Sequence, residues 1–384
     1  MFKSILFIIF LVGHSVLAEE VCKNMGNDPL FEQILAELHS CNKHDVHITF
    51  DDGPSLDVTG EILKKLKKRE VKATFFVTTT LLEKDPNLRK LVAQELEDKH
   101  TVGSHGYEHK PYDLRLVNGQ PDNQRLSEAE GKRQIALSVD LLNQATGGEF
   151  GRQQHKLFRF PYGRGAMPSA GELNYMEDNG QIVFRSKDYS KRLLEYRQWS
   201  PAVGKISQKG FSHLGWNHDS QDFQYGASNN SAISVKEYTT ENLKRLCKSR
   251  ESKQVALFHD IKAINVRAIP LIIDIGRCLG LNFISSEEMM RKSDPLMANG
   301  VLIPKDFQLK GSVNKPNDAL ETIIQTLSAP KTCQLISPPT HQTCTSSKGI
   351  IYKEGEGEDS ICIKGKWENR AKLILEGKRH LIKE

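Results

Sequence analysis

The chain has 384 residues, of which 38% are hydrophobic and 26% are charged, and its formal net charge is +5. This composition is close to the average for soluble proteins, so it excludes wholesale disorder. The length suits one large domain, or a domain of about 250 residues with a smaller partner. The basic excess lies mostly at the C-terminal end, where it suits either an acidic polymer such as a cell-wall glycan or an ordinary solvated surface. Aromatic and basic residues do not interleave, so no nucleic-acid partner is expected.

The chain begins with MFKSILFIIFLVGHSVLAEE. Lys3 precedes an apolar run, and Val16 and Ala18 suit positions −3 and −1 of a cleavage site, so we expect a secretory signal peptide over residues 1–18. The alternative is a retained membrane anchor, but the run is shorter than the roughly 20 residues that span a bilayer. We therefore expect a secreted or periplasmic protein without membrane association after cleavage, and an N-terminal extension at 19–44.

If the protein is exported, its cysteines are expected to form disulfides, because these bonds form in oxidising compartments. The sequence contains Cys22, Cys41, Cys247, Cys278, Cys333, Cys344 and Cys362. The odd number leaves at least one thiol free or paired with another chain. Their clustering suggests Cys22–Cys41, Cys247–Cys278 and one pair among the last three, although connectivity does not follow from sequence. No C-x-x-C pattern occurs, so a cysteine zinc site is not expected.

Strand-like runs alternate with helical patterns along most of the chain. The strand-like runs lie at 45–52, 71–78, 101–105, 156–163, 212–219, 254–260 and 281–288, and the helical patterns lie at 55–70, 87–99, 127–144 and 266–280. A capping box from Ser127 to Glu130 opens the third helix. This alternation predicts a parallel sheet, open or closed into a barrel. In such folds the ligand site forms at the carboxyl ends of the strands, where this chain places its polar motifs.

Two segments depart from the alternation. Residues 164–211 have no clean period, and we interpret them as an insertion of loops and short elements. After about residue 300 a helical pattern precedes short strand-like pieces around a Gly/Glu turn, which predicts a small accessory β-rich module over 300–384.

The run HITFDDGP ends in adjacent carboxylates, Asp51 and Asp52. Neighbours in an extended chain point to opposite sides, so one carboxylate can bind a metal while the other faces a substrate. An ordinary Asp-Asp-Gly-Pro surface turn is the alternative, and this motif alone does not decide between them.

The stretch GSHGYEH, residues 103–109, matches both the inverted zinc-protease motif H-x-x-E-H and a plain metal-binding pair, His105 and His109. The protease motif requires a helix, which Gly103, Gly106 and the following proline disfavour. We therefore expect a strand-to-loop turn in which Glu108 has no role. Two histidines and an aspartate with open positions would make a catalytic metal site.

Three further motifs follow in order, RFPYG at 159–163, WNHDSQDF at 216–223 and LFHD at 257–260. Together the five motifs resemble those of the polysaccharide deacetylases, the NodB-homology domain of family 4 carbohydrate esterases. The resemblance covers roughly residues 45–295, and we assign a polysaccharide deacetylase domain to 45–299. It implies an α/β fold, a distorted (β/α) barrel, and removal of acetyl groups from N-acetylglucosamine units.

The resemblance also implies a role for each matching residue. Asp52, His105 and His109 would hold a divalent metal, with zinc favoured. The remaining roles are Asp51 as general base, His259 as general acid, Arg159 orienting Asp51, Asp222 tuning His259, the Tyr162 backbone N–H on the oxyanion, and Phe223 on one wall of the groove.

The chain departs from the family pattern in three places. Gly106 replaces a Ser/Thr, Phe223 replaces a Trp, and the segment at 164–211 is longer than usual. The presumed catalytic groups are all present, so we expect an active enzyme on a GlcNAc-containing polysaccharide, with peptidoglycan favoured. The alternatives are a chitin deacetylase or xylan O-acetyl esterase with the same site, and a non-catalytic glycan-binding protein.

Overall fold

The computed structural model describes residues 29–38, 41–291 and 302–303, and the backbone of short strands at 343–345, 351–353, 360–363 and 366–369. The predicted signal peptide at 1–18 lies outside the described residues. The chain divides into two compact units, Met1–Asn314 and Lys315–Glu384. Among the described helices, none combines the length and apolarity that a membrane span requires.

The strands of the first unit build one large sheet and a small hairpin. They are β1 Asp45–Asp51, β2 Thr74–Val77, β3 Thr101–Ser104, β4 Leu116–Val117, β5 Gln120–Pro121, β6 Leu157–Phe158, β7 Ser212–Leu214, β8 His218–Asp219, β9 Lys253–His259, β10 Asn282–Phe283 and β11 Leu302–Ile303. Nine of these strands form the sheet in the order β11-β7-β6-β3-β2-β1-β9-β8, with β10 paired to β1. Its pairings are parallel except for β11 with β7. Over the described residues no pairing joins β8 to β11, so the sheet is a curled, unclosed (β/α) barrel, and the predicted fold class is confirmed.

Helices cover the outside of this sheet and fill the connections. They are α1 Pro29–Leu35, α2 Thr59–Lys68, α3 Leu81–Lys84, α4 Pro86–Glu97, α5 Glu128–Ala145, α6 Glu149–Arg152, α7 Ala170–Asp178, α8 Tyr189–Trp199, α9 Pro201–Gln208, α10 Ala232–Lys248, α11 Ala263–Cys278 and α12 Ser286–Arg291. Helix α2 buries Ile62, Leu63 and Leu66 on the face that the sequence predicts. Helix α5 begins after Ser127, whose hydroxyl accepts the Glu130 N–H at 3.2 Å, so the first half of the predicted capping box is present.

Strand β1 shows how the period-two pattern divides the apolar and polar sides of the sheet. Val46, Ile48 and Phe50 are buried in one apolar cluster with residues of α2 and α11. The alternate residues face the inside of the barrel, where His47 bonds Thr74 and Thr49 accepts from Arg159. The last alternate residue, Asp51, therefore lies at the carboxyl end of a polar row inside the barrel.

The segment at 164–211 is more regular than predicted, since it contains α7, α8 and α9. Each helix begins at a polar N-cap whose side chain accepts a backbone N–H of the first turn. The N-caps are Ser169, Asp188 and Ser200 respectively. Such capping is a helix-start signal that can be read in sequence. Gly180 follows α7 and Pro201 opens α9, so none of these helices continues into a long apolar period. The segment contributes to an apolar cluster of its own, formed by Leu114, Leu173, Met176, Ile182, Phe184, Leu193 and Tyr196.

A disulfide joins Cys41, just before β1, to Cys247 near the end of α10, across a sequence separation of 206 residues. Cys278 is also disulfide-bonded. The suggested pairs Cys22–Cys41 and Cys247–Cys278 are therefore wrong. Proximity in sequence failed as a guide because the fold brings the end of α10 beside the entrance to β1, where the Asn42 N–H donates to the Cys247 carbonyl at 3.0 Å.

In the second unit the described strands form two antiparallel hairpins. They are β12 Thr343–Thr345 with β13 Ile351–Lys353, and β14 Ser360–Ile363 with β15 Lys366–Asn369. The helical pattern expected before these strands lies outside the described residues. Strand β11, at 302–303, pairs with β7 in the first unit. The division between the two units falls after Asn314.

Candidate functional site

The carboxyl ends of the parallel strands bring the predicted polar motifs together. Asp51 ends β1 and His259 ends β9, and these residues pair directly across the two strands. His105 follows β3, and Arg159 follows β6. Because these strands are neighbours in one curled sheet, motifs far apart in sequence meet at one edge of it.

Three of these side chains form a cluster with the composition of a metal site. Asp52, His105 and His109 offer ligand atoms that all lie within 4.8 Å of one another. Asp52 Oδ1 lies 3.0 Å from His109 Nε2 and 3.4 Å from His105 Nε2. The same oxygen is buried and makes no hydrogen bond of good geometry among the described residues. Two imidazoles that approach one orphaned carboxylate oxygen fit the shared binding of a divalent cation.

The orientation of His105 supports this interpretation. Its Nδ1 lies 2.8 Å from the carbonyl oxygen of Arg159, so Nδ1 is the donor of that bond and Nε2 is the nitrogen that faces the cluster. A histidine ligand is commonly fixed by such a bond from its other nitrogen. Burial raises the pKa of Asp52, but the two imidazoles outweigh burial and hold that pKa well below its usual range. The carboxylate is therefore ionised and available as a ligand.

Asp52 has an unusual backbone conformation. Its φ is +73°, in the left-handed region that side-chain-bearing residues rarely adopt. The expectation that Asp51 and Asp52 alternate as in an extended strand is therefore wrong. Both carboxylates lie near His105, since Asp51 Oδ2 is 3.6 Å and Asp52 Oδ1 is 3.4 Å from its Nε2. The backbone turn at Asp52 brings the two carboxylates to one imidazole.

Arg159 holds Asp51 at this edge of the sheet. Its guanidinium is fully buried and donates from Nη1 to Asp51 Oδ1 at 2.8 Å. The same nitrogen donates to Thr49, and the other two nitrogens donate to the carbonyls of Leu214 and Gly215. A buried guanidinium with every nitrogen partnered has one orientation, so Asp51 is held with one oxygen bound and the other facing the cluster.

His259 also approaches the cluster, with its Nε2 3.8 Å from Asp52 Oδ2. Its Nδ1 lies 2.6 Å from Asp222 Oδ1, and its backbone N–H donates to Asp222 Oδ2 at 2.7 Å. Burial lowers the pKa of His259, but the hydrogen bond and the charge of Asp222, with smaller contributions from Asp52 and Asp51, raise it to about 9. The imidazole is therefore protonated at neutral pH.

The sequence interpretation missed the second partner of Asp222. Asn265, near the start of α11, donates to Asp222 Oδ2 at 2.7 Å and to the His259 carbonyl at 2.9 Å. Its own oxygen accepts from the Tyr238 hydroxyl at 2.9 Å. A signal was available, because Asn265 is a polar residue within the otherwise apolar start of α11.

Tyr162 lies beside the metal-type cluster in a short 3₁₀ turn, Pro161–Gly163, with a left-handed φ of +57°. Its ring packs edge-on against His109, with centroids 4.7 Å apart. The Arg115 guanidinium covers the ring at 3.6 Å from its centroid. The turn therefore places the Tyr162 ring next to His109. Sequence reasoning did not identify Arg115.

Phe223 directly follows Asp222, and 59% of its surface is exposed. Leu56, in the loop that follows Asp52, is also exposed. Apolar side chains exposed beside a polar cluster can pack against the faces of sugar rings.

The loop GSHGYEH is not helical. Strand β3 ends at Ser104, and φ is +83° at Gly106 and +55° at His109. The predicted strand-to-loop turn is confirmed. Glu108 turns away from the cluster, because its carboxylate accepts from Gln134 at 2.7 Å and pairs with Lys110 at 2.8 Å. A Cβ at Gly106 would lie 3.1 Å from the Tyr112 hydroxyl, so both the backbone and the available space favour glycine.

Comparison with known proteins agrees with this geometry. Residues 39–178 match the family model described as polysaccharide deacetylase. A peptidoglycan-N-acetylglucosamine deacetylase of Bacillus cereus is 37% identical over 138 residues, which cover 35% of this chain and 43% of the relative. A putative polysaccharide deacetylase of Bacillus subtilis is 27% identical over 268 residues, which cover 70% of this chain and 76% of that protein. The first of these alignments thus spans less than half of the relative's length.

Solved structures give matches of similar extent. A peptidoglycan deacetylase from Bacillus subtilis covers 67% of this chain and 95% of its own, with 21% identity and a TM-score of 0.44. A chitin deacetylase from Colletotrichum lindemuthianum covers 65% of this chain and 89% of its own, with 22% identity and a TM-score of 0.44. Residues 39–178 thus match the polysaccharide deacetylase family, which is the family that the sequence motifs resemble.

Proposed function

We propose that the chain is a metal-dependent hydrolase that removes acetyl groups from N-acetylglucosamine units of a cell-wall polysaccharide, with peptidoglycan favoured. The observation that carries the proposal is that two hydrogen-bonded groups, Asp51 and His259, lie beside the three-residue cluster. Asp51, held by Arg159, approaches His105 of the cluster, and His259, held by Asp222, approaches Asp52. A base and an acid beside a metal site are what amide hydrolysis requires.

In this proposal Asp52, His105 and His109 hold the cofactor, a divalent metal for which zinc suits the two imidazoles and one carboxylate. A cation bound there would supply Lewis acidity, which polarises the acetamide carbonyl and lowers the pKa of bound water towards neutrality.

Asp51 is the general base. It takes one proton from the attacking water as the oxygen bonds to the acetyl carbon. Its bond to the buried Arg159 fixes the direction of its carboxylate. The oxygen that Arg159 does not hold lies 3.6 Å from His105 Nε2, on the cluster side.

His259 is the general acid. The C–N bond breaks as the imidazolium transfers its proton to the nitrogen, so that the products are acetate and a free amine. An amide nitrogen leaves poorly without that proton, and a pKa of about 9 keeps His259 charged at neutral pH. The backbone N–H of Tyr162 donates to the oxyanion, and loss of one such donor typically costs about 3–4 kcal/mol of transition-state stabilisation.

The substrate assignment rests on the site and on the relatives' names. The Bacillus cereus relative is named as a peptidoglycan-N-acetylglucosamine deacetylase. The exposed Phe223 and Leu56 provide apolar surfaces for a glycan beside the cluster. Chitin and acetylated xylan carry the same acetyl chemistry and are the alternative substrates.

We also propose that the protein acts outside the cytoplasm. The predicted signal peptide motivates this assignment, and the Cys41–Cys247 disulfide supports it, because such bonds persist in oxidising compartments.

The test is to incubate the full chain, loaded with zinc, separately with peptidoglycan, chitin oligomers and acetylated xylan, and to measure acetate and free amine. The proposal expects equal amounts of acetate and amine from peptidoglycan, and little of either from an Asp51→Asn variant. Acetate without amine, from xylan alone, would indicate an O-acetyl esterase. If no polymer yields acetate while zinc and glycan both bind, the protein is a glycan-binding protein and the enzyme proposal is wrong.

A further inference from the structure

Asp260 is a buried carboxyl group beside the site that the proposed reaction does not use. It directly follows His259, and 2% of its surface is exposed. Its carboxylate does not face the cluster. It lies instead against the backbone of Gly53, the residue that follows the metal-type ligand Asp52.

The contact between Asp260 and Gly53 leaves no room for a side chain. A Cβ placed on Gly53 would overlap the carboxylate of Asp260. Only glycine fits at position 53, because the Asp260 carboxylate lies so close to its backbone. The carboxylate therefore sets the distance between the loop after Asp52 and the end of β9. Any shift of Asp260 is transmitted to Gly53, and from there to Asp52.

Thr59 extends the same contact to the far end of the loop. Its hydroxyl donates to Asp260 Oδ2 at 2.5 Å and accepts the Ser55 N–H at 2.7 Å. The Thr59 N–H in turn donates to the Ser55 carbonyl at 3.0 Å. The Gly53 carbonyl accepts the Thr78 N–H at 3.1 Å. The loop 53–55 is thus held to the ends of β2 and β9 and to the start of α2.

Asp52 needs such support because its backbone is strained. A residue with a side chain in the left-handed region costs about 1–3 kcal/mol, and it persists only where its surroundings hold it. Without the packing at Gly53, Asp52 can relax towards extended geometry. Its carboxylate would then move away from the two imidazoles.

We propose that Asp260 is a positioning residue that holds Asp52 in its metal-binding orientation through Gly53 and through the Thr59–Ser55 link. This inference rests on the proposed function in one respect, namely that Asp52 binds a metal. Asp260 also connects the loop 53–55 to the end of β9, which carries His259. The metal ligands and the general acid are therefore held at a fixed distance from each other.

The experiment measures zinc affinity of the full-length chain by competition with a chromophoric chelator, and thermal unfolding of the metal-free protein. The variants are Asp260→Ala, Asp260→Asn and Thr59→Val. The matched control is Asp274→Ala, which removes another buried carboxyl. Asp274 binds Arg69 through two bonds of 2.7 and 2.5 Å at the opposite end of α2.

We expect Asp260→Ala to weaken zinc binding about 10–100-fold, the range typical of residues that support metal ligands. Asp260→Asn keeps an oxygen that accepts from Thr59, so its dissociation constant should stay within about threefold of that of the unaltered chain. Thr59→Val should weaken binding by an intermediate amount. The control should lower the unfolding temperature and leave zinc affinity unchanged.

If Asp260 only stabilised the fold, its variants would behave like the control, with a lower unfolding temperature and an unchanged zinc affinity. Zinc binding by Asp260→Ala within twofold of the unaltered chain overturns the proposal. If that variant does not fold, Thr59→Val decides by the same criterion. If the unaltered chain itself binds no divalent metal, the proposed metal site is wrong and the positioning role falls with it. If the unaltered chain binds zinc and Asp260→Ala binds it equally well, only the positioning role is wrong.

Discussion

Replacing Asp222 by asparagine tests the acid assigned to the reaction. Asp222 supplies the two largest contributions that raise the pKa of His259 to about 9, and burial opposes them. Without the carboxylate, the pKa should fall to the ordinary value of about 6.5 or below. At pH 8 the protonated fraction would drop from roughly nine-tenths to roughly 3%, a loss of about 30-fold in the acid form.

The assay is an NMR titration of histidine-labelled, zinc-loaded protein, together with the pH profile of kcat. In the unaltered chain the activity should fall on the alkaline side near pH 9, and in Asp222→Asn this limb should move to pH 6.5 or lower. Asp219→Asn is the matched control, because Asp219 belongs to the same motif and bonds the Gln221 N–H at 2.8 Å. A His259 pKa that stays near 9 in Asp222→Asn would refute the reasoning.

Stability should follow the same titration. A histidine whose folded pKa is raised contributes stability that is fully present below its unfolded pKa of about 6.5, and that is lost as pH rises through about 9. In the unaltered chain the free energy of unfolding should therefore decline between these values. Asp222→Asn should lack this decline, which thermal unfolding at several pH values will show.

Three further substitutions have expected outcomes. Glu108→Gln should leave zinc affinity and acetate release within twofold of the unaltered values, because Glu108 bonds Gln134 away from the cluster; a dead variant that still binds zinc would revive the protease-like role. Gly106→Ala should lower the free energy of unfolding by about 1 kcal/mol or more, measured by urea denaturation, because its φ is +83°; equal stability would contradict this. Glu95→Gln should raise the unfolding temperature, and more at pH 8 than at pH 5. The Glu95 carboxyl has no hydrogen-bond partner among the described residues, and burial raises its pKa well above the usual range, so its stability contribution is lost as pH rises. A temperature difference independent of pH would count against that explanation.

The sequence predicts that the candidate site residues meet, because their motifs occur at strand ends. Asp51, His105, Arg159 and His259 each stand at or directly after a strand, and parallel strands deliver their ends to one edge. The glycines of GSHGYEH also predicted the loop correctly, since their backbone preferences are local.

Other features depend on contacts that local patterns do not encode. Gly53, which follows the left-handed Asp52, packs against Asp260, some 200 residues further along the sequence. The Cys41–Cys247 bond depends on where α10 ends relative to β1. Arg115, which directly precedes the β4–β5 hairpin, contacts the ring of Tyr162 across a long sequence separation.

Acetate release as a function of added zinc tests the central claim most directly. The full chain is stripped with a chelator, the chelator is removed, and acetate from peptidoglycan is measured as zinc is restored. The proposed site predicts no acetate from the stripped protein, with activity that rises linearly and stops at one zinc per chain. His105→Ala should give no rise at all. Undiminished acetate release from the metal-free chain, or full zinc occupancy without acetate from any acetylated glycan, would contradict the account.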